Sequence, residues 1–214
     1  AKKIGFSDIQ IANCCSIDEI DVRSLRRKLL IQPVTKQIDT LAAEWPAKTN
    51  YLYLTYGGQF DDVQYDSKIK YRKLISSMKA SKPLAKNKPS KVIVLGAGPY
   101  RIGSSVEFDW GTVNMVWGLK DNGCKEVIII NCNPETVSTD YDICDRLYFE
   151  ELTYERVMDI CERENSDGIV TCVGGQTANI LTPRLASANM NIVGTSAASV
   201  DQGEDRAKFG KLLD

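Results

Sequence analysis

The stretch KVIVLGAGPYRIGSSVEFDW, residues 91–110, decides how the rest of the chain is read. Its first six residues are an apolar, β-branched run ending in glycine, the pattern of a strand buried on both faces. Gly96 and Gly98 then give a tight turn, and a helical pattern runs from Ser104 to about Gly123. Strand, glycine turn and helix in this order open a parallel α/β sheet. A turn of this kind often cradles a dinucleotide, but here the spacing departs from that pattern. The third glycine, Gly103, stands two residues late, and Asn131 ends the next strand where a carboxylate would hold a ribose hydroxyl. The phosphate-loop pattern is broken too, because Gly103 is followed by Ser104 and Ser105 without the lysine.

Downstream the alternation continues. EVIIIN (126–131) and DRLYF (145–149) read as strands. TYERVMDICERENS (153–166) reads as an amphipathic helix with Tyr154, Val157 and Cys161 on one face and Thr153 as N-cap. GIVTCV (168–173) is a strand with Cys172 as core filling, TANILTPRLASAN (177–189) a helix and MNIVGT (190–195) a last strand. Residues 196–214 look helical. The expected fold class is α/β: a Rossmann-like parallel sheet with helices on both faces over 91–202, preceded by a small, mainly helical segment.

In such a sheet ligands sit beyond the carboxyl ends of the strands, where turns and helix N-termini converge. Gly96, Gly98 and Gly103 follow the first strand; Asn131, Asn133, Glu135 and Thr136 follow the second; Gly174, Gly175 and Gln176 follow GIVTCV. Any one glycine is explained by turn geometry or close packing. All of these on one edge describe a rim that offers amides and hydroxyls to a small polar or anionic ligand. Arg101 lies in the glycine loop and Glu107 on the first helical turn, where the dipole favours a carboxylate. Capping chemistry alone would explain Glu107, and Arg101 reads equally as a surface charge; the alternative is that the two line a polar passage or grip a carboxylate-like ligand.

Toward the N-terminus, Ser7-Asp-Ile-Gln10 and Ser16-Ile-Asp-Glu19 both fit the capping box, which predicts two short helices within 7–30. Ile20, Val22, Leu25 and Leu29 form an apolar stripe with Arg23, Arg26, Arg27 and Lys28 largely opposite. Pro33 and Pro46 punctuate the next stretch, and NYLYLTY (50–56) reads as a strand. Residues 57–90 carry eight Lys/Arg against three Asp and read as a basic linker or insertion. They lack the interleaved aromatics of a single-strand nucleic-acid binder.

Composition narrows the classes further. The 214 residues are 43% hydrophobic and 26% charged, with net charge −1, which favours neither nucleic acid nor membrane surfaces. No apolar run approaches the ~20 residues of a membrane span. There is no histidine, and the seven cysteines include no C-x-x-C, so His-based triads and the usual zinc sites are excluded. The odd thiol count reads as reduced cysteines of an intracellular protein. The opening Ala1-Lys2-Lys3, without Met, reads as a piece of a longer polypeptide.

GAGPYRIGSSVEFDW, NCNPETVSTDYD, DRLYFEELT and VGGQT resemble the second synthetase half of the large subunit of carbamoyl-phosphate synthetase, eukaryotic type. KQIDTLAAEWP and NYLYLTY resemble the end of that family's central oligomerisation domain. The resemblance implies this layout: 1–50, end of the helical oligomerisation domain; 51–90, strand plus basic insertion; 91–202, pre-ATP-grasp domain; 203–214, start of an ATP-grasp domain. It implies an ATP-dependent ligase that makes carbamoyl phosphate from bicarbonate, ammonia or glutamine and two ATP, its second half phosphorylating carbamate. Carried over by position, Arg101, Ser105 and Glu107 would line the carbamate tunnel, with no catalytic residue in this piece. Mg-ATP, with Mg2+ or Mn2+ and K+ as a further ion, would be bound mainly by the ATP-grasp domain, none by this piece alone. Implied partners are the rest of the synthetase chain and a glutaminase, with an oligomer as an option and no nucleic acid or membrane. The implied location is cytoplasmic, or mitochondrial for a urea-cycle type. The alternatives are a non-catalytic structural module and a stand-alone nucleotide-binding Rossmann-like domain.

Overall fold

A computed structural model describes residues 1–65, 89–97 and 106–213. Among them, seven strands form one sheet. They are β1 (Val34–Gln37), β2 (Tyr51–Thr55), β3 (Lys91–Leu95), β4 (Glu126–Asn131), β5 (Arg146–Phe149), β6 (Gly168–Val170) and β7 (Ile192–Val193). The spatial order is β1-β2-β5-β4-β3-β6-β7. All neighbours are parallel except β1 and β2, which are antiparallel. The chain passes from β3 outward through β4 and β5, then crosses back to β6 on the other side of β3. The doubly wound α/β class expected from sequence is therefore the one observed.

Helices cover both faces. Val113 and Val116 of α3 (Val106–Asp121) pack over Val92, Val94, Val127, Ile129 and Leu147, all fully buried. On the other face, α4 (Tyr154–Glu164) and α5 (Gly175–Ser187) pack Val157, Ile160, Leu181 and Leu185 over Ile93, Leu95, Ile128 and Ile130. Alternate residues of each central strand thus enter opposite cores, which is why these strands read as unbroken apolar runs. Thr153 caps α4 as predicted, its Oγ1 accepting from the Arg156 amide. The C-terminal helical stretch is two helices, α6 (Ala197–Glu204) and α7 (Arg206–Leu213).

The N-terminal segment departs from expectation in three ways. Ser7 closes the predicted capping box with Gln10 at the head of α1 (Asp8–Cys15). Ser16 does not open the next helix: with φ 55° it is the left-handed C-cap of α1, and Asp18 precedes α2 (Glu19–Lys28). The orientation of α2 also inverts the usual pattern. Val22, Arg23 and Arg26 are buried, whereas Ile20, Leu25 and Leu29 are exposed. Arg26 grips Asp8 (2.8 Å) and Asp159 (3.2 Å), Arg23 meets Asp159 (2.6 Å) and Glu162 (3.0 Å), and Lys2 meets Asp8 (3.1 Å) and Glu155 (2.5 Å). Burial alone would lower the affinity of Arg23 for its proton, but Asp159 and Glu162 outweigh it and raise that affinity. The helix pair is thus seated on α4 by a desolvated ion network rather than by its leucines.

The third departure is β1, an edge strand within the segment expected to be mainly helical. Its outward amides are covered: Asp61 accepts from the Thr35 amide (2.7 Å) and Asp62 from the Gln37 amide (3.1 Å). These two aspartates, at the head of the basic stretch, blunt an edge that would otherwise pair with another chain. Tyr65 continues the anchoring, its hydroxyl bonded to Thr35 (2.5 Å) and Tyr148 (3.0 Å). At the far end Asp167 accepts from the Ser90 and Lys91 amides. The remainder of the basic linker, 66–88, lies outside the described residues.

Candidate functional site at the carboxyl edge of the sheet

Six strands run parallel, so their carboxyl ends share one edge. The topological switch lies at β3, between β4 and β6, where a ligand crevice is expected. Among the described residues there, backbones and side chains approach closely. A Cβ on Gly174 would lie 2.7 Å from the carbonyl oxygens of both Leu95 and Gly96, and one on Gly96 would lie 2.7 Å from Asn131 Nδ2. Gly175 has φ +68°, and its α-carbon faces the Phe108 ring. Close packing at Gly96 and Gly174 and a left-handed backbone at Gly175 suffice to require glycine at these three positions.

The loop after β4 is built from its own side chains. Asn131 is 1% exposed; its Nδ2 donates to Ser138 Oγ (3.2 Å), and its Oδ1 accepts from the Asn133 amide (2.9 Å). Asn133 Oδ1 accepts from the Glu135 amide (3.1 Å), and Thr139 Oγ1 accepts from the Thr136 amide (3.1 Å). The loop is then tied to α3: the Ser138 amide donates to Asp109 Oδ1 (3.0 Å) and Oδ2 (3.3 Å). Beside it, burial pushes the Cys132 thiol up. Asn131 is committed to this lattice, which leaves it unsuited to a ribose.

Of the residues predicted for the rim, Glu107, Glu135 and Gln176 are exposed, Thr136 is half-buried, and Gly96, Asn131, Asn133, Gly174 and Gly175 are buried. Gly98, Arg101, Gly103 and Ser105 lie outside the described residues. Ser138 belongs to the polar turn expected after the second strand, whereas nothing in the sequence marks Asp109 as its partner. Both sit inside motifs already singled out, but their pairing joins positions 29 apart and is tertiary information. Among the described residues no group of three or more His, Cys, Asp or Glu could hold a metal ion. No helix among them is long and apolar enough to cross a membrane.

Fold and site together define a doubly wound α/β domain with a polar, tightly packed rim at its switch point. Residues 88–202, more than half of the chain, match the family model described as the carbamoyl phosphate synthase preATP-grasp domain. The chain belongs to that family. Over its whole length it is 47% identical to the carbamoyl-phosphate synthase (ammonia), mitochondrial, of Rattus norvegicus, of which it spans 13%. It is 46% identical to the carbamoyl phosphate synthase large chain of Sulfolobus acidocaldarius, spanning 18%, and 48% identical to the multifunctional protein CAD of Squalus acanthias, spanning 8%. The chain thus corresponds to a small part of each relative.

Proposed function

We propose that this chain is the part of a carbamoyl-phosphate synthetase that shapes the passage delivering carbamate to the second phosphorylation site. The parent would be an ATP-dependent ligase that joins bicarbonate-derived carbon to nitrogen from ammonia or glutamine. The observation that carries the reading is the placement of Glu107, exposed on the first turn of α3 at the edge where six strands end. A closed path matters because carbamate decomposes in water, so excluding solvent preserves it until it is phosphorylated. In this reading Arg101 attracts the anion, Glu107 orients the arginine, and Ser105 contributes to the wall. Mg-ATP, held by the ATP-grasp domain, would supply the phosphoryl group. The partners are the remainder of the synthetase and its glutaminase, in the cytoplasm or, as for the mitochondrial relatives, in that organelle.

The test is Glu107→Gln in the complete synthetase that contains this chain. ATP hydrolysis should persist while carbamoyl phosphate formed per ATP falls roughly tenfold, about 1.4 kcal/mol in coupling, with the melting temperature unchanged. An unaltered ratio would overturn the passage reading. The isolated 214-residue chain should form no carbamoyl phosphate from ATP. A second reading, a purely structural module, is favoured by the buried glycines and asparagines of the rim. It expects Glu107→Gln to lower activity only in proportion to folded protein.

A further inference from the structure

We infer that Asp109 is a positioning residue: it fixes the rotational setting of α3's first turn, and with it the direction of Glu107, by clamping the loop after β4. The inference rests on the passage reading given above. Its physical basis is geometric. Residues two apart on a helix are separated by roughly 200° around the axis, so Asp109 turned inward requires Glu107 turned outward. The structure shows this division: Asp109 is 6% exposed, and Glu107 lies on the exposed side. A buried carboxylate is held in place only by donors that compensate its lost hydration. Both of its oxygens face the Ser138 amide, at 3.0 and 3.3 Å.

Ser138 does not float. Its Oγ accepts from Asn131 Nδ2 (3.2 Å), and Asn131 Oδ1 accepts from the Asn133 amide (2.9 Å). Asn131 in turn ends β4 and lies so close to Gly96, at the end of β3, that a methyl group there would strike it at 2.7 Å. The chain of contacts runs from the β3 exit through the β4 exit and its loop to the helix that presents Glu107. Val113 and Val116 hold the body of α3 against the sheet, and the Asp109–Ser138 bond adds the restraint on its first turn, where fraying or rotation would redirect Glu107. A capping role alone would not require an acceptor for an amide from another element.

The experiment uses the complete synthetase with Asp109→Ala, and Asp109→Asn as the near-isosteric variant that keeps one acceptor oxygen. Three quantities are read: ATP hydrolysed per carbamoyl phosphate formed, the KM for ATP, and hydrogen exchange of the Ser138 amide. Asp109→Ala should raise ATP spent per product about fivefold and speed Ser138 exchange about tenfold, with KM for ATP within about twofold of wild type. Asp109→Asn should fall between alanine and wild type. If Asp109→Ala does not fold, Asp109→Asn alone must raise the ratio. Faster Ser138 exchange with an unchanged ratio overturns the inference, as does loss of product in step with loss of folded protein. The two readings separate cleanly. If Glu107→Gln uncouples the enzyme and neither Asp109 variant does, only the inference fails; if Glu107→Gln leaves coupling intact, the passage reading itself fails.

Discussion

A methyl group at position 174 would meet three atoms at once: the carbonyl oxygens of Leu95 and Gly96 at 2.7 Å and the Ala178 Cβ at 2.6 Å. Two of these are backbone oxygens of the central strand's exit and cannot swing aside as a side-chain tip would. Gly174→Ala should therefore cost about 1–3 kcal/mol of stability through overpacking, read as a lowered denaturant midpoint. Gly118, inside α3, provides the control. A Cβ there meets nothing within 4 Å, so Gly118→Ala should be neutral or stabilising by up to about 1 kcal/mol. Equal midpoints for the two variants would show that the rim is looser than its distances imply. At this scale the glycines were legible in the sequence, but their reason was not. The chain shows that a glycine follows a strand, whereas only the approach of another strand's carbonyls shows that packing demands it.

At the scale of elements, α2 shows what periodicity can and cannot settle. Of the apolar residues read as a stripe, Ile20, Leu25 and Leu29 are exposed, while Val22 is buried beside Arg23 and Arg26. Spacing defines two faces of a helix and leaves open which of them meets the protein. Here α4 decides, because Glu155, Asp159 and Glu162 present carboxylates to the incoming helix pair. Removing one member of such a network leaves the others with fewer partners: without Arg26, Asp8 keeps Lys2 and Asp159 keeps Arg23. Arg26→Met therefore leaves two buried carboxylates under-compensated and should destabilise the docked helices by about 3 kcal/mol, the low end for breaking a buried pair. The effect should appear as faster hydrogen exchange across residues 8–28 before the sheet opens. Adding Asp8→Asn to Arg26→Met should recover part of the loss. Unchanged exchange in the single variant would mean that the network contributes little to docking. The edge strand β1 was hidden for a related reason. Its four residues bury only Thr35, so no apolar run announces it, and its amides are satisfied by aspartates from the following loop.

For the molecule as a whole, the seven thiols report on the integrity of the double core. Cys14 and Cys15 are exposed on α1, whereas Cys161 lies in the core beneath α4 and Cys144 in the core beneath α3. Burial pushes the Cys144 and Cys161 thiols from the ordinary 9.0 up to about 12. In the native state at pH 8 they remain protonated and shielded, and the thiolate is the reactive form. Alkylation followed by mass spectrometry should label Cys14 and Cys15 promptly, and Cys144 and Cys161 only when the whole domain unfolds. The sign of the linked stability follows. A folded value above the unfolded one stabilises fully below the ordinary 9.0, and that contribution is lost as pH rises toward about 12. Prompt labelling of Cys161 at pH 8 would contradict the continuous core described above.

The sequence by itself determined the α/β class, the placement of most strands and helices, the polar character of the strand exits and the family. Each follows from information carried along the chain: unbroken apolar runs, glycine turns, capping residues and specific motifs such as NCNPETVSTDYD. Only the tertiary structure decided that α2 turns its arginines inward, that β1 completes the sheet, and that Asp109 holds the loop after β4. These depend on which groups meet across long separations, where a buried charge is tolerated only if its partner arrives from elsewhere in the fold.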